Sequence, residues 1–386
     1  MTRRLGPSTI AIHGTPHRQP DWAPVVPPLL QTATFTNPVG STDEVLYTRY
    51  GNNPNQTSIA RKYALLEGAE EGLFLSSGMG ATALAHLAVL RPGDHLLSSS
   101  WIYGGTRTLF DEEFGKFGVE VTYVSPIEPR SWKKAVRTNT RALFVETPIN
   151  PLLRIVDLSP MARVAKDEGI ALLVDATFAS PINFRPLEHG ADVVITSATK
   201  YLNGHSDVIA GAVAGSASFI DEVTRLMKLW GQSLDPHSAW LIERGMRTLA
   251  VRMQRHNENG LAVAKWAEGQ RAISKVHYPG LTSHPDHALA AKVLDGFGGM
   301  VGLELAGGPT EAERVLSRLQ LVAHAPSLAG VESLVSEPRL TSHKALGPDG
   351  RAAMGIPDGF IRLSCGIEDA ADIIADLDQA LSKASK

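Results

Sequence analysis

Cysteine is almost missing from this sequence: Cys365 is the only one in 386 residues. No internal disulfide can form, a cysteine-rich metal site is excluded, and a reducing, cytoplasmic setting fits. Long apolar runs are missing too. None approaches the ~20 residues that span a bilayer, and the start MTRRLGPSTIAIHG lacks the apolar stretch of a secretory signal. Neither sign of charge dominates. The 37 Lys plus Arg stand against 40 Asp plus Glu, for a net charge of -3, and no segment gathers basic residues densely enough to grip a phosphate backbone. Nucleic acid is therefore not an expected partner. The 13 histidines do not suggest a metal either: HPDH at 284–287 sits in a proline-containing turn and HGTPH at 13–17 in an irregular arm. Neither has companions at ligand spacing.

What is present is an ordinary globular composition, 43% hydrophobic and 20% charged, in a chain long enough for two or three domains at roughly 100–200 residues each. Residues 1–58 are rich in Pro, Thr, Asn and Gln with little helical periodicity. They read as an extended arm supported by a neighbouring subunit, because a long irregular segment is uncommon inside a compact domain. From 59 to 245 short apolar runs alternate with helical stretches, and RALFVETP, IALLVDAT and ADVVITSATK each end in polar residues. Continuous Val, Ile and Leu runs suit strands covered on both faces, as in a parallel sheet. Between the first two, Ser159 can cap a helix, Pro160 fits its first turn and Gly169 can end it, which makes a βαβ unit. Ligands of such sheets sit beyond the carboxyl ends of the strands. Glu146, Asp175, Ser197 and Lys200 are therefore expected to converge. RGMRTLAVRMQRHNENGLAVAKWAEG reads as one long helix, and 246–386 as a smaller α+β domain.

Lys200 follows a strand predicted to be buried. Desolvation would lower its pKa and turn an ordinary amine into a nucleophile; the competing reading is a lysine that simply reaches into water. Asp175 would place a carboxylate in the same crevice, and a carboxylate at that depth calls for a cation. A protonated pyridine nitrogen serves, and lysine plus aspartate is what proteins contribute to pyridoxal phosphate chemistry. In LFLSSGMGATALAHLAV small residues open a helix whose free amides favour an anion. Ser197 and Thr199 could add hydroxyls, and Tyr103 in WIYGGT could stack on a flat ring. GFGGMVG at 296–302 has the reverse order of a dinucleotide fingerprint and reads as a turn.

Together SATKYLNGHSDVIAG, SSGMGA, YGGT, ETPINPLLRIVDL, GVESLVSEP and IRLSCGIED resemble the transsulfuration (Cys/Met metabolism) family of pyridoxal-phosphate enzymes, from about Ile10 to Leu381. That family includes cystathionine γ-synthase, γ-lyase and β-lyase and methionine γ-lyase. The resemblance implies a PLP-dependent transferase-like α/β fold (fold type I) with a mostly parallel central sheet. It implies pyridoxal 5'-phosphate held covalently by Lys200, which also shuttles protons. Asp175 would hold the ring nitrogen, Tyr103 would stack on the ring, and Gly78, Met79, Ser197 and Thr199 would bind the phosphate. Arg362 would clasp the substrate carboxylate, helped by Asn150 and Ser327. Tyr47 and Arg49 would reach into the adjacent subunit, Tyr47 at the leaving group and Arg49 at the phosphate, so the site needs a dimer and the family's usual tetramer is expected.

This sequence departs from the family in places. YTRYGNNPN has one residue more than the usual loop and Asn55 in place of threonine; Ala176 stands where asparagine is common; Gly105 replaces the cysteine of methionine γ-lyases; and Pro326 replaces the glutamate of γ-acting cystathionine enzymes. The leading expectation is a carbon–sulfur lyase on L-cystathionine or a related sulfur amino acid, with the γ-synthase reaction as runner-up and methionine γ-lyase behind it. An aminotransferase would use the same lysine and aspartate, and a non-catalytic scaffold of the same fold is the remaining alternative.

Overall fold

A computed structural model of the chain describes residues 5–14 and 23–382; parts of the leading arm, including His17 of HGTPH, lie outside them. The first sheet contains β1 (Glu71–Leu75), β2 (His95–Ser99), β3 (Glu120–Val124), β4 (Thr140–Glu146), β5 (Ala171–Asp175), β6 (Val193–Thr196) and β7 (Gly211–Gly215), in the order β1-β7-β6-β5-β4-β2-β3. β3, β2, β4, β5 and β6 run parallel; β7 runs antiparallel to β6, and β1, at that edge, pairs antiparallel with β7 and so points the same way as the other five. The continuous apolar runs have the expected cause. Leu143, Phe144, Val145, Leu172, Leu173 and Val174 are all 0% exposed, with successive side chains buried on opposite faces.

A second sheet holds β8 (Ile273–His277), β9 (Met300–Leu305), β10 (Ala323–His324), β11 (Leu334–Ser336) and β12 (Phe360–Ser364), in the order β10-β11-β12-β9-β8, antiparallel except for β10 with β11. Val263 and Ala264 of the helix Leu249–Glu268 and Ile373 and Leu377 of the helix Ala370–Ser382 pack with Val276, Leu303 and Leu363 of this sheet. The chain is thus α/β, with a mostly parallel large sheet and a smaller, largely antiparallel one.

Three local expectations need correction. Ser159 is the first residue of its helix, Ser159–Glu168, and not the cap. Its N–H donates to Asp157 Oδ1 at 2.9 Å, so the aspartate two residues earlier does the capping; Gly169 ends the helix at φ 64° as expected. The long helix is broken. Pro236–Met246 ends, and Leu249–Glu268 begins after a short turn. There the Gly245 carbonyl is claimed by Arg252 Nη2 at 2.9 Å and Thr248 Oγ1 at 3.1 Å, while Gly245 itself lies so close to Asn203 that an added Cβ would be 2.2 Å from its carbonyl oxygen.

The arm is neither free of helix nor wholly without support from its own chain. Pro7–His13 is helical, and a second helix, Pro54–Glu67, already begins inside the expected arm, capped reciprocally by Asn53 and Gln56. Asn55 donates from Nδ2 to the Pro28 carbonyl and accepts the Leu30 N–H at Oδ1, both at 2.9 Å, so the two ends of one amide hold residues 28 and 30. Asn53 Nδ2 reaches Leu30 O and Trp240 Nε1 reaches Pro27 O, each at 2.9 Å. Within YTRYGNNPN, Thr48–Tyr50 forms a tight turn closed by Gly51 at φ 77°.

Lys62 ties the first helix to the body. Its ammonium, 5% exposed, donates to the Ile12 carbonyl at 2.9 Å and pairs with Glu243, 3% exposed. Lys62→Met strands a buried carboxylate and should cost about 3–5 kcal/mol in denaturant unfolding, whereas pairing it with Glu243→Leu should recover most of the loss. A double variant as unstable as the single one would contradict this account.

Candidate active site

The parallel register brings strand ends to one level. Glu146 at the end of β4 lies opposite Asp175 at the end of β5, and Asp175 opposite Ile195 near the end of β6. The chain then turns tightly: the N–H groups of Lys200, Asn203 and Gly204 donate to the carbonyls of Ser197, Ala198 and Lys200 at 3.1, 3.0 and 2.7 Å. Arg252 clamps this turn, Nη1 donating to the Tyr201 carbonyl at 2.9 Å. Lys200 is held over a cavity of about 510 Å³ lined by Gly78, Met79, Tyr103, Asn150, Asp175, Ser197, Thr199, Ser327 and Arg362 among others. Every residue expected at the cofactor and substrate, apart from Tyr47 and Arg49, is brought to this one cavity.

Burial first, and the Arg362 charge second, push the Lys200 amine down to about 8; its Nζ donates to Ser327 Oγ at 2.7 Å. On the cavity floor Asp175 Oδ1 accepts the N–H of Thr177 at 2.9 Å and its hydroxyl at 2.6 Å. No described group bonds Oδ2. Burial raises the Asp175 pKa against those two bonds, so a cation presented to Oδ2 would restore the carboxylate.

Two sides of the cavity are built by close approach. Ser77 caps the helix Gly78–Val89 by accepting the Gly80 N–H, which leaves the amides of Gly78 and Met79 at the open helix start. A Cβ at Gly78 would lie 2.9 Å from that of Ser197, so glycine lets the helix start and the turn after β6 close together. Thr199 lines the same end, but its hydroxyl both donates to Ala210 O at 3.2 Å and accepts Ala210 N–H at 3.0 Å, a use the sequence did not reveal. The ring of Tyr103 lies against Gly105, where an added Cβ would be 2.6 Å from it and 3.3 Å from Met79 Sδ.

Arg362 comes from β12 of the second sheet. It is 5% exposed, donates from Nη1 to Asn150 Oδ1 at 2.8 Å and from Nη2 to the Ser327 carbonyl at 3.2 Å, and its Nε has no partner. Among the described residues no carboxylate forms an ion pair with it. Burial lowers its pKa to about 10, yet it stays a cation near neutrality, a guanidinium set for an anion from outside. Ser327 serves both Lys200 and Arg362, and adopts φ 85°, a conformation an L-residue holds only under constraint.

Sequence reading missed Thr341 and Ser342, which line the cavity from a distant loop that no periodicity marks, and Phe178, Leu328 and Ile209, which read as ordinary apolar residues. Ala176 does not face the cavity; it is 1% exposed in an apolar cluster with Ile149 and Val174. Tyr47 and Arg49 do not line the cavity of their own chain. Arg49 lies over the Tyr47 and Tyr50 rings, 5.5 and 5.0 Å from their centroids, and donates to Lys228 O at 2.5 Å. His205 donates to or accepts from nothing in the cavity; its Nδ1 bonds Asn203 O at 2.8 Å. No group of three or more His, Cys, Asp or Glu among the described residues could hold a metal ion, and no described helix is long and apolar enough to cross a membrane.

The lowered pKa has a direct test. In cofactor-free protein an amine-selective arylating reagent, read by peptide mass spectrometry, should modify Lys200 with a midpoint near pH 8, because the reactive neutral amine appears earlier than in a free lysine. A midpoint at the ~10.4 of an ordinary lysine would contradict the desolvation argument.

Pyridoxal phosphate fits these residues on structural grounds: an acid with a free oxygen at one end, open helix amides behind a glycine at the other, and a nucleophilic amine between. The sequence profile described as Cys/Met metabolism PLP-dependent enzyme matches residues 8–382. The chain is 39% identical to an L-methionine gamma-lyase of Porphyromonas gingivalis, over 98% of this chain and 97% of that one. It is equally, 39%, identical to a cystathionine beta-lyase of Coxiella burnetii, over 97% of each. Among solved structures, a cystathionine gamma synthase from Xanthomonas oryzae pv. oryzae in complex with aminoacrylate and cysteine superposes with a TM-score of 0.94 at 39% identity, covering 99% of both chains. A cystathionine gamma-lyase from Lactobacillus plantarum complexed with L-serine gives 0.94 at 33% identity, covering 99% and 100%. With the cavity, the lysine and the strand-end acid in place, the chain belongs to the Cys/Met metabolism family of PLP-dependent enzymes.

Proposed function

We propose that this protein is a carbon–sulfur lyase that eliminates a thiol from L-cystathionine or a related sulfur amino acid. The observation that carries the reading is Arg362, a buried guanidinium with an unpartnered Nε and no carboxylate of its own, sharing Ser327 with the amine of Lys200. An α-amino acid supplies both missing partners, its carboxylate to Arg362 and its α-proton to Lys200.

Bound pyridoxal phosphate would supply the electron sink that makes that α-proton acidic. Lys200 can accept and return it, because an amine with a pKa of about 8 is partly neutral near pH 7. Asp175 would keep the ring nitrogen protonated through Oδ2. Gly78, Met79 and Ser197 would hold the phosphate, with Thr199 shaping that end through Ala210. Tyr103 would cover the ring, and Ser327 and Asn150 would keep Arg362 aimed. The same residues serve β-elimination, γ-elimination and replacement, so the outcome rests on the pocket mouth.

The exposed Ile209 and Pro326 line the cavity where it meets solvent, with the buried Phe178 and Leu328 also in its wall. Pro326, exposed where γ-acting cystathionine enzymes commonly carry glutamate, offers no anion to a distal ammonium, which weighs against strict γ-synthase selectivity. Gly105 weighs against methionine γ-lyase: the Tyr103 ring occupies the space a cysteine side chain there would need. An apolar mouth should discriminate weakly among thioethers, since one methylene is worth only ~1–3 kcal/mol.

Tyr47 and Arg49 lie outside their own cavity on an anchored arm, which supports their serving the site of a neighbouring subunit in a dimer, and a tetramer of two such dimers. The division into an arm of residues 1–58, a cofactor domain of 59–245 and a small domain of 246–386 is kept as a proposal, with Pro54 rather than residue 59 opening the helix at the first boundary. The single cysteine fits a reducing cytoplasm.

Incubation with cystathionine, with methionine, and with O-succinylhomoserine plus cysteine decides the reaction. 2-Oxobutyrate plus cysteine, or pyruvate plus homocysteine, from cystathionine supports the lyase; net cystathionine formation without cleavage overturns it in favour of the synthase, and methionine as the one substrate cleaved favours the third activity. Arg362→Lys should lower kcat/KM roughly 10- to 100-fold, the size of a lost charged hydrogen bond, chiefly through KM.

A further inference from the structure

We infer that Glu146 is a positioning residue that locks the substrate-carboxylate clamp to the tyrosine that covers the cofactor site; the inference rests on the amino-acid reading above. Glu146 ends β4 and is 5% exposed. Its Oε2 accepts the N–H of Tyr103 at 2.6 Å and its Oε1 the N–H of Asn150 at 3.1 Å. Those amides belong to different loops, one following β2 and the other following β4. One carboxylate therefore joins them.

From Asn150 the connection continues. Its Oδ1 accepts from Arg362 Nη1 at 2.8 Å, Arg362 Nη2 reaches Ser327 O at 3.2 Å, and Ser327 Oγ accepts from Lys200 at 2.7 Å. Moving Glu146 would displace the backbone of Asn150, and with it the angle at which Arg362 is presented. Both oxygens are consumed by backbone amides of the protein, so Glu146 acts through Tyr103 and Asn150 and not on substrate.

The choice of a carboxylate calls for a cause, because this is a costly place for one. Burial first and the neighbouring Asp175 second push its pKa up, and the two amides and Arg362 offset part of that. A neutral residue would be easier to bury. Glutamine, however, offers one acceptor and one donor, and its NH2 would face one of the two N–H groups. Two convergent donors on separate loops require two acceptor oxygens on one stem, which only a carboxylate of this length provides here.

The test uses holoenzyme and two small amines that react with the bound cofactor: aminooxyacetate, whose carboxylate can engage Arg362, and O-methylhydroxylamine, which has none. The second-order rate constant is read from the loss of the cofactor's visible absorbance. Glu146→Gln should slow aminooxyacetate by about tenfold or more, the scale of a disturbed charged hydrogen bond, and leave O-methylhydroxylamine within about twofold. Glu146→Asp keeps both oxygens on a shorter stem and should show a smaller loss of the same selectivity, and it serves alone should the glutamine variant not fold. Equal slowing of both reagents would make Glu146 merely structural, and no change in either would also overturn the inference. A wild-type protein whose absorbance responds to neither reagent would instead defeat the functional reading, and this inference with it.

Discussion

Parallel pairing of β4, β5 and β6 is the constraint on which the site depends. Side chains alternate along a strand, so a slip of one residue between β4 and β5 would turn one of Glu146 and Asp175 to the opposite face of the sheet. The pairing of Glu146 with Asp175 and of Asp175 with Ile195 prevents that. It is secured by residues far from the chemistry: Val145, Val174 and Val194, all 0% exposed, lie in a single apolar cluster beneath the strand ends. The second sheet adds what the first cannot, since β12 is held between β11 and β9 and carries Arg362 to the same cavity. Two sheets with separate cores thus bring Lys200 and Arg362 to one cavity.

The charges in this cavity are arranged so that none cancels another prematurely. Two unit charges ~4 Å apart interact by about 4 kcal/mol at an effective dielectric of 20. A direct Arg362–Glu146 pair would spend the guanidinium on the protein. Asn150 stands between them instead, donating its N–H to the acid and offering Oδ1 to the guanidinium. Ser327 performs the like service between Arg362 and Lys200, and its backbone at φ 85° shows that the surrounding fold imposes this position on it. The cost is a set of incompletely paired buried groups, among them Arg362 Nε, and such groups are recovered when a bound anion meets them.

Much of this was legible in the sequence because it is local. Apolar runs that end in polar residues gave strands whose last side chains share a level, and that places Asp175 and Lys200 together with no knowledge of the second sheet. Gly78 was legible as a close approach, although its partner, Ser197, is known only from the fold. Arg362 and Asn150 came from a family likeness and not from spacing, since 212 residues separate them and nothing periodic connects them. Thr341 and Ser342 were invisible for the same reason, and Ile209 because it reads as an ordinary apolar residue. Thr199 lines the cavity, but its bond to Ala210 depends on how the chain returns after Gly204, which composition does not record. The broken helix after Met246 was missed because its cause, Arg252 taking the Gly245 carbonyl, lies in side-chain competition for a backbone group and leaves the apolar spacing intact.

The arm shows how a segment can be anchored and still be incomplete. Asn53, Asn55 and Trp240 fix the backbone of residues 27, 28 and 30 to the chain's own body, so the turn that follows is presented at a defined place. Beyond those anchors the balance of exposure reverses: Val39 is fully exposed and Val45 and Leu46 are 49% and 39% exposed, close in sequence to Tyr47 and Arg49. Apolar side chains gathered beside a stacked tyrosine and arginine make a surface that gains by being covered. The aromatic contact at 5.1 Å between Tyr47 and Tyr50, with Arg49 lying over both, already fixes the pose of these side chains. Little side-chain entropy remains to be lost when they meet a cavity. Tyr47 and Arg49 do not line the cavity of their own chain, so that preorganisation would serve a site elsewhere and favours the proposed sharing of one site between two copies.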